Sequence, residues 1–256
     1  MRTAYFDHDG PIAMAHRGFS LDGLENTMVA FAAAVDLGFR YVETDVHATA
    51  DGELIAFHDV ALDRVTDGSG MVANHTWDQL RGLRIGGSEP IPHMDTLFGA
   101  WPDLRINIDL KAASAVEPLV TLIERHQAHD RVCVTSFSDR RRRAALRLLS
   151  RPVATSAGQS RTTAFTLGAG SRAPGVPRMV TRKIDCLQIP VSHRGIPLVT
   201  PRFIRSAHAS NTQVHVWTIN DTDEMHRLLD LGVDGLISDR ADLLKDVLVA
   251  RDGWPA

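Results

Sequence analysis

Glu43, Asp45 and His47 alternate with Val42, Thr44 and Val46 in the run YVETDVH, residues 41–47. A strand turns successive side chains to opposite faces, so the two carboxylates and the imidazole share one face. Carboxylates are rarely buried without a partner, and this face therefore calls for a cation. After a turn the chain continues as DGELIAFHD and ends on His58 and Asp59. RINIDLK, residues 105–111, carries Asp109 and Lys111 two positions apart, again on one face. IAMA, residues 12–15, runs into His16, Arg17 and Gly18. Glu43, Asp45 and Asp109 are hard oxygen donors, which suit Mg²⁺ or Ca²⁺. The soft-metal patterns CxxC and HExxH are absent. His16 and His58 could flank a substrate held on such an ion. Arg17 and Lys111 would then supply positive charge for phosphate oxygens.

These residues need a scaffold that brings them together. Apolar runs alternate with helical patterns along the chain. IAMA, YVETDV, RINIDLK, VCVTSF, PVATSA, DCLQIP, QVHVWTI and GLISD predict eight strands. Between them, Met28, Phe31, Ala32 and Val35 fall at helical spacing before Gly38, and Val116, Leu119, Val120 and Ile123 mark another helix. A third carries Ala144, Ala145, Leu148 and Leu149, and late helices are expected from about Asp221 to Leu231 and over 240–250. Repeated βα units predict an α/β fold with a parallel sheet, and eight of them a TIM (β/α)8 barrel. The expected organisation is one catalytic domain over 1–256, with a Gly- and Pro-punctuated insertion at 60–93 after the second strand unit. Residues 157–180 should hold the fifth helix and a loose loop. Active sites of such barrels lie at the C-terminal ends of the strands, where the polar residues cluster here. Trp217 and Asn220 sit at the end of the seventh strand, where Trp217 could wall a ligand pocket. The run Arg140 to Arg143 reads as the solvated face of a surface helix. His8, His75, His93, His126, His129, His193, His208, His215 and His226 read as scattered surface or core histidines.

The composition narrows the classes. The chain has 256 residues and a formal net charge of -3, so no broad nucleic-acid surface is implied. No apolar run approaches the ~20 residues of a membrane span, and the N-terminal residues lack the apolar core of a signal peptide. Cys133 and Cys186 lie in apolar runs and look like small buried hydrophobes, which fits a reducing, cytoplasmic setting. No stable membrane anchor is expected, and nothing in the sequence speaks to oligomeric state.

AHRG followed by ENT, ETDV and DGELIAFHD resembles the glycerophosphodiester phosphodiesterase family, as do NIDLK, VTSF, VWTIN and GVDGLISD further on. These pieces keep the family's order over nearly the whole chain. The resemblance implies a TIM barrel with a small insertion after the His-Asp pair. It implies metal-dependent hydrolysis of glycerophosphodiesters to glycerol 3-phosphate and an alcohol. Carried over, it makes His16 and His58 the acid/base pair, Glu43 and Asp45 metal ligands, and Arg17 and Lys111 phosphate-binding residues. Glu25 and Asn26 fall near the site in supporting roles. The third ligand is usually Glu in an E-x-K pattern, and here it is Asp109, an arm shorter by about one methylene. On this reading His16 deprotonates the nucleophile, and His58 protonates the departing alcohol. The nucleophile is water or the substrate's own glycerol 2-hydroxyl. The insertion is expected beside the mouth, selecting the alcohol. Rival readings are a lysophospholipase D-like phosphodiesterase, a metal-dependent sugar-phosphate isomerase and a non-catalytic glycerophosphate-binding barrel. The first would need an apolar rim, for which the insertion offers only Met71, Val72, Trp77, Leu80 and Leu83.

Overall fold

The computed structural model describes residues 3–170 and 175–254. The barrel strands are β1 (Ile12–His16), β2 (Tyr41–Ala48), β3 (Arg105–Leu110), β4 (Val132–Thr135), β5 (Ala154–Thr155), β6 (Cys186–Ile189), β7 (Gln213–Val216) and β8 (Gly235–Ser238). Each stands where an apolar run predicts it. They pair in parallel in the order β5, β4, β3, β2, β1, β8, β7, β6. A parallel bridge between Ser156 and Cys186 brings the two ends together, and Ala157 N donates to Cys186 O at 3.1 Å beside it. The architecture is an α/β TIM barrel.

Local chemistry sets the helix boundaries. The Thr27 side chain accepts from Ala30 N to start the first helix, Met28–Asp36, and Gly38 leaves it at φ +94°. Ser138, Thr200 and Asp221 cap later helices in the same way. The strand period then sorts side chains into two layers. Outward residues such as Val42, Val46, Ile106 and Ile108 pack against Phe31, Leu119 and Ile123 of the surrounding helices. Inward residues Ile12, Met14, Tyr41, Cys133, Ala154, Cys186 and Ile237 fill the lower barrel, and Tyr5 and Phe6 pack onto them. Both cysteines are free and buried. Above this apolar plug the inward positions turn polar. Parallel register sets His16 beside Glu43, Glu43 beside Asn107, and Asp45 beside Asp109.

β2 turns back into the short antiparallel strand Leu54–Ala56, which delivers His58. Residues 60–93 follow with a small cluster of their own, Leu62, Val72, Leu80, Ile85 and Ile91, seated on Ile55 and Phe57. Val72 and Leu80 are therefore interior, and Trp77 and Leu83 pack against the same cluster; of the five rim candidates only Met71 is exposed, at 45%. Residues 157–180 hold two helices, Gln159–Gly170 and Gly175–Val180; the stretch 171–174 lies outside the described residues. Among the described residues no helix is long and apolar enough to cross a membrane.

The arginine run is only in part a solvated face: Arg140 and Arg143 are exposed, Arg141 is half-buried, and Arg142 is interior. Arg142 is 2 % exposed and donates to Asp139 at 3.2 Å and Thr155 Oγ1 at 3.1 Å, because its helix, Asp139–Leu148, lays that position against β5. Arg141 reaches the Lys111 carbonyl and Ser136 Oγ at the barrel mouth. Truncating one partner of a buried ion pair leaves the other uncompensated. Asp139 keeps Ser160 and the backbone amides of Gly158 and Arg161 as partners, which softens the loss. Arg142→Ala is thus expected to cost about 2–4 kcal/mol in urea unfolding. A change below 1 kcal/mol would show the pair to be dispensable.

Candidate active site

The loop after β1 is the most constrained part of the site. A Cβ on Gly18 would fall 2.6 Å from the backbone of Ala30, so only glycine lets the loop meet the first helix; its φ is +82°. Arg17 sits just before it in the left-handed region at φ 56°, where a side chain is strained. Its amide donates to Glu43 O at 2.9 Å, and its carbonyl accepts from Asn26 N at 2.9 Å. Asn26, also at positive φ and buried, donates to Asp45 Oδ2 at 3.3 Å and accepts from Thr44 Oγ1 at 2.7 Å. Strain at Arg17 is therefore held by bonds that also fix β2.

The charges are tightly interleaved. Lys111 Nζ lies 2.7 Å from both Asp45 Oδ1 and Asp109 Oδ2. Arg17 Nε stands 3.0 Å from Asp45 Oδ2, its N–H not aligned for a hydrogen bond. Burial works against the Asp45 carboxylate, yet Lys111 and Arg17 hold its pKa below the ordinary value. Burial dominates at Asp109 and raises its pKa despite Lys111, and Asp109 Oδ1 is buried with no partner. Burial also acts against the Lys111 ammonium, but Asp109 and Asp45 outweigh it and raise its pKa. Among the described residues Glu43 pairs with no Lys or Arg side chain; its ionic neighbour is the His16 imidazole, at 3.7 Å. Burial, then the Asp45 charge, push the Glu43 pKa up to about 8.

That shift carries a stability signature. A carboxyl whose folded pKa is raised binds its proton more tightly when folded. Its contribution is fully present below the unfolded value and is lost as pH climbs through about 8. Without divalent cations the protein should therefore lose stability between about pH 5 and pH 8. Glu43→Gln should flatten that slope, measured by urea unfolding in chelator. An unchanged slope would remove Glu43 as its source.

Both histidines are oriented by carboxylates. His16 Nδ1 lies 2.6 Å from Asp239 Oδ1, and its Nε2 lies 3.7 Å from Glu43 Oε2. Burial opposes the His16 imidazolium, but Glu43 and Asp239 prevail and raise its pKa. Asn220 Nδ2 in turn donates to Asp239 Oδ2 at 2.8 Å. His58 Nδ1 lies 2.5 Å from Asp59 Oδ1. His47 Nε2 meets the His58 carbonyl at 3.2 Å and pins the hairpin end. With Nδ1 engaged, each imidazole keeps Nε2 for chemistry.

His16, Arg17, Glu43, Asp45, His58, Asp109, Lys111 and Trp217 all line one cavity of about 390 Å³ at the strand C-termini. All eight residues singled out from the sequence thus come together. Glu25 and Asn26 stand one step behind, touching Arg17 and Asp45. Sequence reasoning passed over Asp239, although a polar residue directly after GLIS follows the same strand-end rule. It also passed over Arg64, which bonds Asp59 and Glu25. Asn107 and Gln188 form an amide pair in the floor, Gln188 Nε2 donating at 2.9 Å. His193, read as scattered, lines the cavity, and His215 is fully buried beneath it, 3.4 Å from Gln188. No residue of 60–93 lines the cavity. Apolar lining comes instead from Phe137, Leu167, Ile189, Pro190, Leu198 and Trp217.

Comparison with known proteins agrees with this arrangement. Residues 16–243 match the Glycerophosphoryl diester phosphodiesterase family. A Mycobacterium tuberculosis protein named "Probable glycerophosphodiester phosphodiesterase 2" is 50% identical over 253 residues, covering 98% of this chain and 95% of its own length. A solved structure from Silicibacter pomeroyi superposes with a TM-score of 0.82 at 20% identity, over 99% of this chain and 100% of that one. An Oleispira antarctica phosphodiesterase, solved in complex with the product sn-glycerol-3-phosphate, superposes at 0.78 with 22% identity, over 97% and 100%. The chain belongs to the glycerophosphoryl diester phosphodiesterase family and is a phosphoric diester hydrolase acting on glycerophosphodiesters.

Proposed function

We propose that hydrolysis here depends on a divalent cation, Mg²⁺ or Ca²⁺, and runs between His16 and His58 as base and acid. The observation that carries this reading is the matched pair of dyads, His16–Asp239 and His58–Asp59, on one cavity. A hydrogen bond from Nδ1–H to a carboxylate leaves a lone pair on Nε2, which suits His16 as base. His58, protonated on both nitrogens, would deliver its Nε2 proton to the departing alcohol.

Glu43, Asp45 and Asp109 would hold the ion. Their oxygens are hard donors, Asp109 Oδ1 has no partner, and Glu43 is paired with neither a Lys nor an Arg side chain among the described residues. Among the described residues no three donor groups stand ready around one point, and Lys111 bridges Asp45 and Asp109. An ion there would compete with Lys111 for these carboxylates, and any bond Lys111 gives up would free its ammonium for phosphate. The cation would neutralise phosphate charge that resists attack. Arg17 and Lys111 share that task and orient the phosphate. The nucleophile is water or the glycerol 2-hydroxyl. The direct test is glycerol 3-phosphate release from several glycerophosphodiesters, with and without EDTA. Release that survives exhaustive chelation would defeat the cation requirement.

The apolar wall favours a second reading of the substrate. Phe137 and Leu167 line the cavity and are 55% and 71% exposed, and glycerol phosphate, with three carbons, has little apolar surface to cover them. A lysophospholipid would lay its acyl chain there, at about 0.8 kcal/mol per buried methylene. Comparing glycerophosphocholine with its short-chain 1-acyl forms decides it: a falling KM with chain length supports the lipid, a rising one the deacylated diester. The family membership, the free thiols and the lack of a spanning helix among the described residues support the reading of a cytoplasmic lipid-metabolism enzyme.

A further inference from the structure

Arg64 lies in the insertion, outside the cavity, with 48% of its side chain exposed. It nevertheless makes four side-chain hydrogen bonds to two carboxylates. Nε and Nη2 donate to Asp59 at 2.5 and 3.2 Å. Nη1 and Nη2 donate to Glu25 at 3.0 and 2.7 Å. Each carboxylate has a second partner that lines the cavity. Asp59 holds His58 Nδ1, and Glu25 Oε1 accepts from Arg17 Nη1 at 2.9 Å. One guanidinium fork thereby ties the hairpin after β2 to the loop after β1. Half-exposed ion pairs add little to stability, so convergence of this kind points to geometry rather than to folding.

We infer that Arg64 is a positioning residue for the reaction: it fixes Asp59 on His58 and Glu25 on Arg17, so the insertion sets the active geometry without entering the cavity. This rests on His58 acting as the acid and Arg17 as a phosphate ligand. The bond from Arg64, then that from His58, hold Asp59 down at about 2, so it stays ionised across the working range. Burial works against Glu25, but Arg64 and Arg17 together lower its pKa.

The network has a readable electrostatic consequence. Asp59 divides its charge between Arg64 and His58. Without Arg64, Asp59 loses its guanidinium partner and Glu25 keeps only Arg17, so more uncompensated negative charge faces His58. Asp45 and His47 of β2 also feel the His58 charge, and Arg17 and Lys111 line the same cavity; Arg64 bonds none of these four. The alkaline limb of the pH–kcat profile, set by loss of the acid's proton, should therefore move up. Asp59→Asn should move it down. A residue that merely held the insertion in place would lower kcat or melting temperature and leave the limb where it was.

The experiment is steady-state hydrolysis of glycerophosphocholine at saturating Mg²⁺ over about pH 5–9. It compares the parent, Arg64→Ala, Arg64→Gln, Asp59→Asn and His58→Ala, with a thermal melt of each. Both Arg64 variants should lose roughly 10-fold in kcat. Both should show a raised KM and an alkaline limb shifted up by roughly half a pH unit. The second substitution keeps the test open should the first fail to fold. An active parent, an inactive His58→Ala, and Arg64 variants whose limb does not move overturn the inference alone, whatever their kcat. A parent that turns over no glycerophosphodiester, or a His58→Ala that stays active, overturns the reading beneath it.

Discussion

Replacing either histidine with alanine is expected to lower kcat on glycerophosphocholine by about 10²–10⁴-fold, the usual worth of positioned proton transfer. Thermal stability should barely change. His16 and His58 keep 17% and 33% of their side chains exposed, and neither belongs to a hydrophobic cluster, so their removal opens no core cavity. The two variants should nevertheless differ. A departing p-nitrophenolate needs no proton, so a p-nitrophenyl ester should rescue the variant lacking the acid, His58→Ala, far more than His16→Ala. Equal rescue would mean that the roles are shared, and greater rescue of His16→Ala that they are reversed. Near-normal turnover by either variant on a natural diester would remove that residue from the chemistry. His16 also connects to the cation. Burial disfavours its charged form, and it is chiefly Glu43 that reverses this. Neutralising Glu43 with a divalent ion would return His16 towards the free base its role demands.

Much of this site is legible from strand-end polarity. Glu43, Asp45, Asp109 and Lys111 announce themselves because charged residues interrupt otherwise apolar runs with period two. The register that sets Asp45 beside Asp109 then follows from parallel pairing. The eight strands are visible for the same reason. Arg142 is not legible, because four consecutive arginines show no apolar periodicity; only the packing of that helix against β5 reveals which one is interior. Arg64 is hidden differently. Its partners Asp59 and Glu25 are five and thirty-nine positions away, and no local pattern marks a contact between two loops. The apolar wall is missed because Phe137, Leu167, Ile189 and Leu198 come from four separate segments after β4 to β6. The insertion is one of two long interruptions of the strand–helix rhythm, yet most of its apolar residues fill their own small cluster.

Removing divalent cations should abolish turnover, and Mg²⁺ or Ca²⁺ should restore it. On the proposed reading, Asp109 would decide how the ion is held. A shorter arm than Glu leaves room for a water between carboxylate and ion, and Mg²⁺ keeps waters more readily than Ca²⁺. Asp109→Glu should therefore retain activity while shifting the Mg²⁺/Ca²⁺ preference. Asp109→Ala should raise the metal concentration for half activity at least tenfold, about 1.4 kcal/mol. Calorimetric titration, which needs no turnover, should show the same loss of affinity. Lys111→Met separates the roles. Its ammonium now neutralises Asp45 and Asp109 at 2.7 Å each, so its removal leaves both carboxylates to the ion. Metal binding should hold or tighten, while KM rises and kcat falls for want of a phosphate ligand. If Asp109→Ala binds metal as tightly as the parent, the ion rests on Glu43 and Asp45 without it. If Lys111→Met instead loses metal, the lysine acts by organising the carboxylates and not by meeting the phosphate.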